Sequence, residues 1–205
     1  MNWLSQMSPE YAIYIPWDIW IVTWVGAALW ANRTLKRPGG GRELPYFILE
    51  VGGFITLLGI VIDDPKHPVT ANPFFAFLAQ RYWSLPPAAG WAMVALAFAG
   101  FAFCWWARIY LGRRGSGRVT RKEAHHIVDT GPYALVRHPI YTGLLTAAIA
   151  TTAIKGSMHA FIGLGMLFVA YQLKARLEEK FLSEELGADA YAAYRRRVPM
   201  LIPFA

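Results

Sequence analysis

Residues 88–107 are apolar throughout and contain no charged side chain. At 1.5 Å of rise per residue, a helix of this length spans about 30 Å, the thickness of the hydrocarbon core of a bilayer. The composition agrees, because 56% of the 205 residues are hydrophobic and only 16% are charged. The sequence therefore predicts an all-α integral membrane protein.

Four further apolar stretches flank this run, and the last two are short. Only Lys155, Gly156 and Ser157 separate those two, which predicts a tight helical hairpin. We therefore expect about five transmembrane helices, with residues 1–107 as an N-terminal membrane part and residues 108–205 as the part that carries the chemistry. The other four stretches are 11–31, 44–62, 139–154 and 158–173. The glycines expected to let helices approach closely are Gly52, Gly53, Gly59, Gly143, Gly163 and Gly165.

Basic residues between these stretches orient the chain. Most of the 20 Lys and Arg residues lie in 32–43, 108–138 and 174–205. Positive charge favours the cytoplasmic side, so we expect the N-terminus outside and the C-terminus in the cytoplasm. The net charge of +7 then reflects topology and attraction to anionic lipid, not a nucleic-acid partner. A bacterial inner membrane or an equivalent membrane is the expected location.

Several classes of site are excluded by composition and spacing. Cys104 is the single cysteine, so no internal disulfide or multi-cysteine metal site is expected. The five histidines form no H-x-x-x-H or H-E-x-x-H pattern, and we predict no metal. The glycines of "GGGR" at 39–42 follow no predicted strand and are interpreted as a linker. Residues 1–14 contain no Lys or Arg, so the first apolar stretch is expected to be retained and not cleaved as a signal peptide.

The stretch "TGPYALVRHPIYTGLL" at 130–145 places charge directly before an apolar helix. Gly131 and Pro132 predict a turn, and Pro139 suits the first turn of a helix, where free N–H groups can bind a carboxylate. Arg137 either anchors an anionic group or extends to lipid headgroups. His138 alone would be an interfacial histidine.

A second polar segment follows the predicted hairpin. Glu178 and Glu179 lie just beyond the last apolar stretch, and the hairpin should bring residues 174–204 beside 118–141 with a pocket between them. Paired carboxylates there suit a cationic ligand. The alternative is a solvated helix face on which Lys174 pairs with Glu178 at i,i+4. Glu50 is an acid deep within an apolar stretch, and its role stays open.

Together these segments resemble a known family. The pattern H-x-x-V-x-x-G-P-Y-x-x-x-R-H-P-x-Y-x-G runs from His125 to Gly143, and an apolar hairpin, an E-E pair, a Y-x-x-Y pair and R-V-P-x-x-x-P follow it. This order is similar to that of the isoprenylcysteine carboxyl methyltransferase family and the related membrane phospholipid methyltransferases. The resemblance covers roughly residues 108–204.

The resemblance implies methyl transfer from S-adenosylmethionine to a lipophilic acceptor embedded in the membrane. It implies a cofactor pocket built by the cytoplasmic loop and the C-terminal helix, without a soluble nucleotide-binding fold. The residues that it implies for the cofactor are His125, Ile127, Val128, Gly131, Tyr133, His138, Pro139, Tyr141, Glu178, Glu179 and Tyr191. The residues that it implies for catalysis and acceptor binding are Arg137, Glu178, Lys174 and Arg176.

Two positions depart from the family pattern. Lys174 stands where the family usually has Arg, with Arg176 as a nearby substitute, and Gly115 stands where many relatives have Trp. A lysine cannot make the two-pronged grip of an arginine on a carboxylate, so a carboxylate or a thiol acceptor stays open. A sterol-type membrane reductase that uses NADPH and a noncatalytic membrane scaffold are the alternative functions. The oligomeric state is left open.

Overall fold

The computed structural model describes residues 7–30, 43–59, 71–112 and 127–204. These residues form helices and no β-strand, apart from an isolated bridge between Arg81 and Ser157. The predicted all-α class is therefore confirmed for the described part of the chain. The helices are α1 (Pro9–Ala12), α2 (Tyr14–Trp30), α3 (Leu44–Leu58), α4 (Pro73–Ala79), α5 (Pro87–Leu111), α6 (Pro132–Leu135), α7 (Pro139–Lys155), α8 (Met158–Leu186) and α9 (Ala188–Arg197).

Each of the five apolar stretches coincides with one of the longer helices, namely α2, α3, α5, α7 or α8, and α8 continues well beyond residue 173. Among the described residues, two helices are long and apolar enough to cross a membrane by length and composition, α5 and the Met158–Glu184 part of α8. Helix α3 is apolar but shorter. A count of five crossings stays a prediction.

Helix α4 was not expected, since it lies between two of the predicted apolar stretches, 44–62 and 88–107. The Asn72 side chain accepts a hydrogen bond from the Phe74 amide at 2.9 Å, and Pro73 occupies the first turn. Both features start a helix, but the helix is only seven residues long, too short for its hydrophobic pattern to predict it.

The predicted hairpin between α7 and α8 is confirmed. Gly156 ends α7 with φ of 59°, a conformation that a side chain would strain. A Cβ there would also lie 2.6 Å from the Trp83 carbonyl oxygen. The segment 81–83 covers this turn, because the Tyr82 amide donates to Gly156 at 2.8 Å and the Arg81 guanidinium donates to the Ile154 carbonyl at 3.1 Å.

Glycine contacts join the helices in two pairs. A Cβ on Gly100 of α5 would lie 2.6 Å from the Gly143 carbonyl oxygen of α7, so these backbones touch. In the same way, a Cβ on Gly53 of α3 would lie 2.9 Å from Leu167 Cγ and 3.2 Å from the Gly163 carbonyl oxygen of α8. Helix α7 therefore packs chiefly on α5, and α8 chiefly on α3. Gly165 does not pack as expected, because no atom lies within 4 Å of the position a Cβ would take.

Candidate active site

A buried carboxylate organises the end of the bundle that lies opposite the hairpin turn. Glu179 of α8 is 4% exposed, and its Oε1 accepts from Arg137 Nε at 2.7 Å. His138 Nε2 lies 3.2 Å from the same oxygen, and Arg195 Nε lies 3.3 Å from Oε2. One carboxylate thus joins α8 to the segment before α7 and to α9.

The turn before α7 brings Arg137 and His138 to this position. Gly131 has φ of 59°, and a Cβ there would lie 2.7 Å from the ring of Tyr110 on α5. Glycine is therefore required both by conformation and by space. The Tyr110 and Thr130 hydroxyls share a hydrogen bond of 2.7 Å, which ties the turn to α5.

A C-terminal strap, residues 198–201, crosses the start of α7. The Arg137 and His138 amides donate to the Pro199 and Met200 carbonyls at 2.8 and 3.1 Å. The Thr142 hydroxyl donates to the Leu201 carbonyl at 2.6 Å. The amides of the two residues directly before α7 are thus bonded to the chain itself.

The Arg137 guanidinium is turned inward. Its side chain is 7% exposed, and besides Glu179 its Nη1 donates to the Val198 carbonyl and to the Arg195 carbonyl, the latter at 3.2 Å. An arginine reaching lipid headgroups would be exposed, so that alternative does not describe Arg137. Its role toward an acceptor stays a prediction.

Glu178 lies on the exposed side of the same group of side chains. We call this group the Glu178 cluster; its members are Arg137, His138, Tyr141, Glu178 and Glu179. Its side chain is 45% exposed, the Tyr141 hydroxyl donates to its Oε1 at 2.6 Å, and its Oε2 lies 3.4 Å from His138 Nδ1. The alternative pairing with Lys174 is not formed, because Lys174 Nζ lies 3.2 Å from Glu50 Oε2 on α3. Glu178 therefore presents a carboxylate that both its own chain and a ligand can reach.

The two carboxylates set the charge of the histidine between them. Burial alone would lower the pKa of His138, but hydrogen bonds and charges from Glu178 and Glu179 outweigh burial and raise that pKa above its usual 6.5. When the ring is protonated, both of its nitrogens can donate to these carboxylates. Burial and the Glu178 charge also raise the pKa of Tyr133 to about 12, so its phenol stays neutral.

Three rings continue from this cluster into the bundle. The His138 and Tyr141 rings stack at 5.5 Å between centroids, and the Tyr141 and Tyr171 rings stack at 4.9 Å. Lys174 Nζ lies 5.3 Å from the centre of the Tyr141 ring and 5.7 Å from that of Tyr46. The rings and Lys174 therefore link the Glu178 cluster to Glu50. The sequence singled out Glu50 and Lys174 separately, and opposite charges in two apolar helices were the signal that would have paired them.

The remaining predicted residues are spread around this core. Tyr191 is buried in a small cluster with Tyr194, Val198, Ile127 and Leu182. The Tyr194 hydroxyl donates to the Tyr133 carbonyl at 2.7 Å, which fixes α9 against the turn. Val128 is half-buried, Pro139 is buried and Arg176 is exposed. His125 lies outside the described residues.

A groove of about 480 Å³ lies beside α7, α8 and the end of the chain. Its walls are almost entirely apolar, and none of the residues predicted for cofactor or catalysis lines it. Representative lining residues are Leu145, Phe161, Phe168, Leu201 and Ile202. The predicted pocket between 118–141 and 174–204 is a different place, where the described residues contact one another directly.

Comparison with known proteins agrees with the motif. Residues 93–184 match the model of the isoprenylcysteine carboxyl methyltransferase (ICMT) family. The matched region, a little under half of the chain, is similar to this family. The resemblance inferred from the sequence is thereby confirmed, and the match includes Arg137, His138, Glu178 and Glu179.

Relatives of the ICMT region include enzymes with different acceptors. The chain is 36% identical over 87 residues to a protein-S-isoprenylcysteine O-methyltransferase of Saccharomyces cerevisiae, which covers 42% of this chain and 36% of the yeast protein. It is 42% identical over 73 residues to methanethiol S-methyltransferase 2 of Bradyrhizobium diazoefficiens, covering 35% of this chain and 26% of that protein. The chain thus matches only 36% and 26% of the lengths of these two relatives. The similarities support methyl transfer.

A third relative carries a different name. The chain is 28% identical over 122 residues to the cobalt-zinc-cadmium resistance protein CzcN of Cupriavidus metallidurans, covering 59% of this chain and 51% of that protein. This alignment is longer than either of the others and is also the least identical of the three.

Proposed function

We propose that the protein transfers a methyl group from S-adenosylmethionine to a lipophilic acceptor held in the membrane. The observation that carries the proposal is the contact of Glu178 with both His138 and Tyr141, which joins the two halves of the ICMT motif in one cluster. Because relatives methylate a carboxylate or a thiol by their names, the proposed acceptor group is one of these two.

The residues of the cluster suit the proposed cofactor. S-adenosylmethionine carries a sulfonium and an α-ammonium group, and the half-exposed Glu178 carboxylate is the matching anion. The rings of Tyr133, His138 and Tyr141 lie around it and offer flat surfaces for an adenosyl group. When bound, the cofactor would supply an activated methyl group. Ile127, Val128, His125 and Tyr191 complete the proposed set.

The protein's own contribution would be to hold the cofactor and the acceptor and to orient them toward each other. Glu179 and Arg137 fix His138, and Tyr141 fixes Glu178, so the carboxylate that receives the cation is already in place. Pre-arranged reactants can account for up to about 7–11 kcal/mol of barrier reduction. Arg137, with Lys174 or Arg176, remains the proposed contact for the acceptor.

The proposed setting is the cytoplasmic boundary of a bacterial inner membrane or an equivalent membrane. Helices α2, α3, α5, α7 and α8 would cross it, with the N-terminus outside and the Glu178 cluster at the cytoplasmic end. Large apolar side chains are exposed on the outer surfaces of α2, α3 and α5, where lipid would cover them. Val22, Ile48, Phe98 and Ile109 are examples.

Thermal denaturation of the purified protein tests this function. S-adenosylhomocysteine should raise the melting temperature because it binds only the folded form, and Glu178→Gln should reduce the shift. Glu184→Gln, an exposed carboxylate farther along α8, is the matched control and should keep the full shift. A shift with NADPH and none with S-adenosylhomocysteine would instead support the reductase. Radiolabelled S-adenosylmethionine with a lipid extract would then identify the acceptor.

A further inference from the structure

An ion pair lies between two apolar helices, next to the Glu178 cluster but outside it. Glu50 of α3 lies 3.2 Å from Lys174 Nζ of α8, and the two side chains keep 20% and 26% exposure. Glu50 is about 9 Å along α3 from its first residue, at 1.5 Å per residue. Ionisable residues inside apolar helices are costly and usually mark a ligand path. Partial exposure leaves this pair accessible from the side of the bundle.

A second group beside the pair lacks a partner. The Tyr171 side chain is fully buried, and its hydroxyl makes no hydrogen bond with the residues that the structure describes. The Glu50 carboxylate lies beside this hydroxyl, so the two groups are close to hydrogen-bond range of each other. Buried hydroxyl groups are nearly always bonded, so this one is a donor that a ligand can satisfy.

The pair also lies within reach of the proposed cofactor site. Lys174 Nζ lies 5.3 Å from the Tyr141 ring, whose hydroxyl donates to Glu178, and the Tyr171 ring stacks on that same ring. A small polar group held at Glu50 and Tyr171 would therefore be separated from Glu178 by a single side chain.

We infer that Glu50, Lys174 and Tyr171 form the subsite for the reacting group of the acceptor, and that this group is a thiol. The inference rests on the proposed function and narrows its acceptor. Glu50 and Lys174 neutralise each other, so an acceptor carboxylate or ammonium would add an uncompensated charge in an apolar region. A neutral thiol adds none. Its S–H donates to Glu50, and its sulfur accepts from the Tyr171 hydroxyl.

Glu50 then receives the thiol proton. The S–H bond breaks, its electron pair stays on sulfur, and the proton moves to a carboxylate oxygen of Glu50. Lys174 stays charged beside the Tyr46 and Tyr141 rings and faces the electron-rich sulfur. The methyl group that sulfur gains is the one that the proposed cofactor supplies.

Binding without cofactor is the first test. Matched eight-carbon probes, 1-octanethiol, octanoate and octylammonium, are added to the wild-type protein, and melting temperatures are compared. The thiol should raise the melting temperature most, and Tyr171→Phe, which leaves the ion pair intact, should reduce that shift. An equal or larger shift with octanoate or octylammonium would overturn the inference.

Turnover with 1-octanethiol is the second test. Glu50→Gln keeps size and removes the base, so kcat should fall about 10²- to 10⁴-fold while the shift with S-adenosylhomocysteine is unchanged. An alkanethiol is a weaker acid than the cysteine side chain, whose pKa is about 8.5, so the thiolate fraction of 1-octanethiol rises with pH well beyond that value. Turnover of Glu50→Gln should therefore increase continuously as the pH is raised above about 8.5, relative to wild type. Glu184→Gln is the control with normal turnover.

Two results would overturn the inference and leave the proposed function standing. One is wild-type turnover in Glu50→Gln, and the other is methylation of octanoate alone. If S-adenosylhomocysteine no longer raised the melting temperature of Glu50→Gln, the Glu50–Lys174 pair would have a structural role. That result would overturn the inference as well. A wild-type protein that neither binds S-adenosylhomocysteine nor methylates any probe would overturn the function itself.

Discussion

Arg137 Nε donates to Glu179 Oε1 at 2.7 Å, and the two side chains are only 7% and 4% exposed. They belong to segments 42 positions apart that the α7–α8 hairpin brings together. The pair fixes the position of His138, which lies against the same carboxylate oxygen. In the described structure, the charged groups of Arg137 and Glu179 therefore bind each other.

Replacing the buried carboxylate should destabilise the protein. Glu179→Ala leaves the Arg137 guanidinium buried without its anion, and breaking a buried pair in this way costs about 3–5 kcal/mol. The melting temperature in detergent should fall sharply, with Glu184→Ala on the exposed part of α8 as the control. Equal melting temperatures for the two variants would contradict a central role for Glu179.

Lowering the pH should increase the stability that His138 contributes to the folded protein. Because the pKa of His138 is raised above 6.5 in the folded protein, its stabilising charge is fully present below the unfolded value and is lost as pH rises through the folded value. The melting temperature of wild type should exceed that of His138→Gln most at about pH 6 and least at about pH 9. A gap that grows with pH would mean that the histidine is held neutral.

A side chain at Gly143 should disrupt the contact between α5 and α7. A Cβ there would meet Cys104 Sγ at 2.5 Å and the Gly100 carbonyl oxygen, so Gly143→Ala should destabilise by about 1–3 kcal/mol. Gly165→Ala is the matched control in α8, where nothing lies within 4 Å, and higher helix propensity should leave it neutral or slightly stabilised. Denaturation of both variants in detergent makes the comparison. Similar losses in both would show that packing does not distinguish them.

The Tyr141 hydroxyl should matter for cofactor affinity and not for folding. Tyr141→Phe keeps the ring stack but removes the 2.6 Å hydrogen bond to Glu178, so the contact with His138 is left to position the carboxylate. The dissociation constant for S-adenosylhomocysteine should rise about tenfold, as expected for one hydrogen bond to a charged group. Tyr82→Phe, exposed near the hairpin turn, is the control. Unchanged affinity would contradict the proposal that the cofactor binds at Glu178.

Local signals predicted much of this fold. The apolar runs located α5, α7 and α8, and the single glycine of "KGS" located the turn between the last two, because both signals act within a few neighbouring residues. The motif likewise identified the residues that meet around Glu179. Their roles toward cofactor and acceptor remain predictions.

Contacts between distant segments were not predictable in the same way. Lys174 had two possible ion-pair partners, Glu178 four residues away on its own helix and Glu50 on α3. It pairs with Glu50 because α3 packs against α8, which the sequence does not show. The strap over α7 uses main-chain carbonyls of Pro199, Met200 and Leu201, which leave no side-chain pattern in the sequence.

The glycine-joined pairs have a mechanical consequence for α7 and α8. Each of these helices packs chiefly on a different partner helix, and only Gly156 and Ser157 connect the two covalently. A small rotation about that glycine displaces the far ends most, and there Tyr141 and Glu178 are held together by one hydrogen bond. Spectroscopic probes near residues 141 and 178 should therefore report the largest change in separation when a ligand binds, whereas probes beside the turn should report almost none.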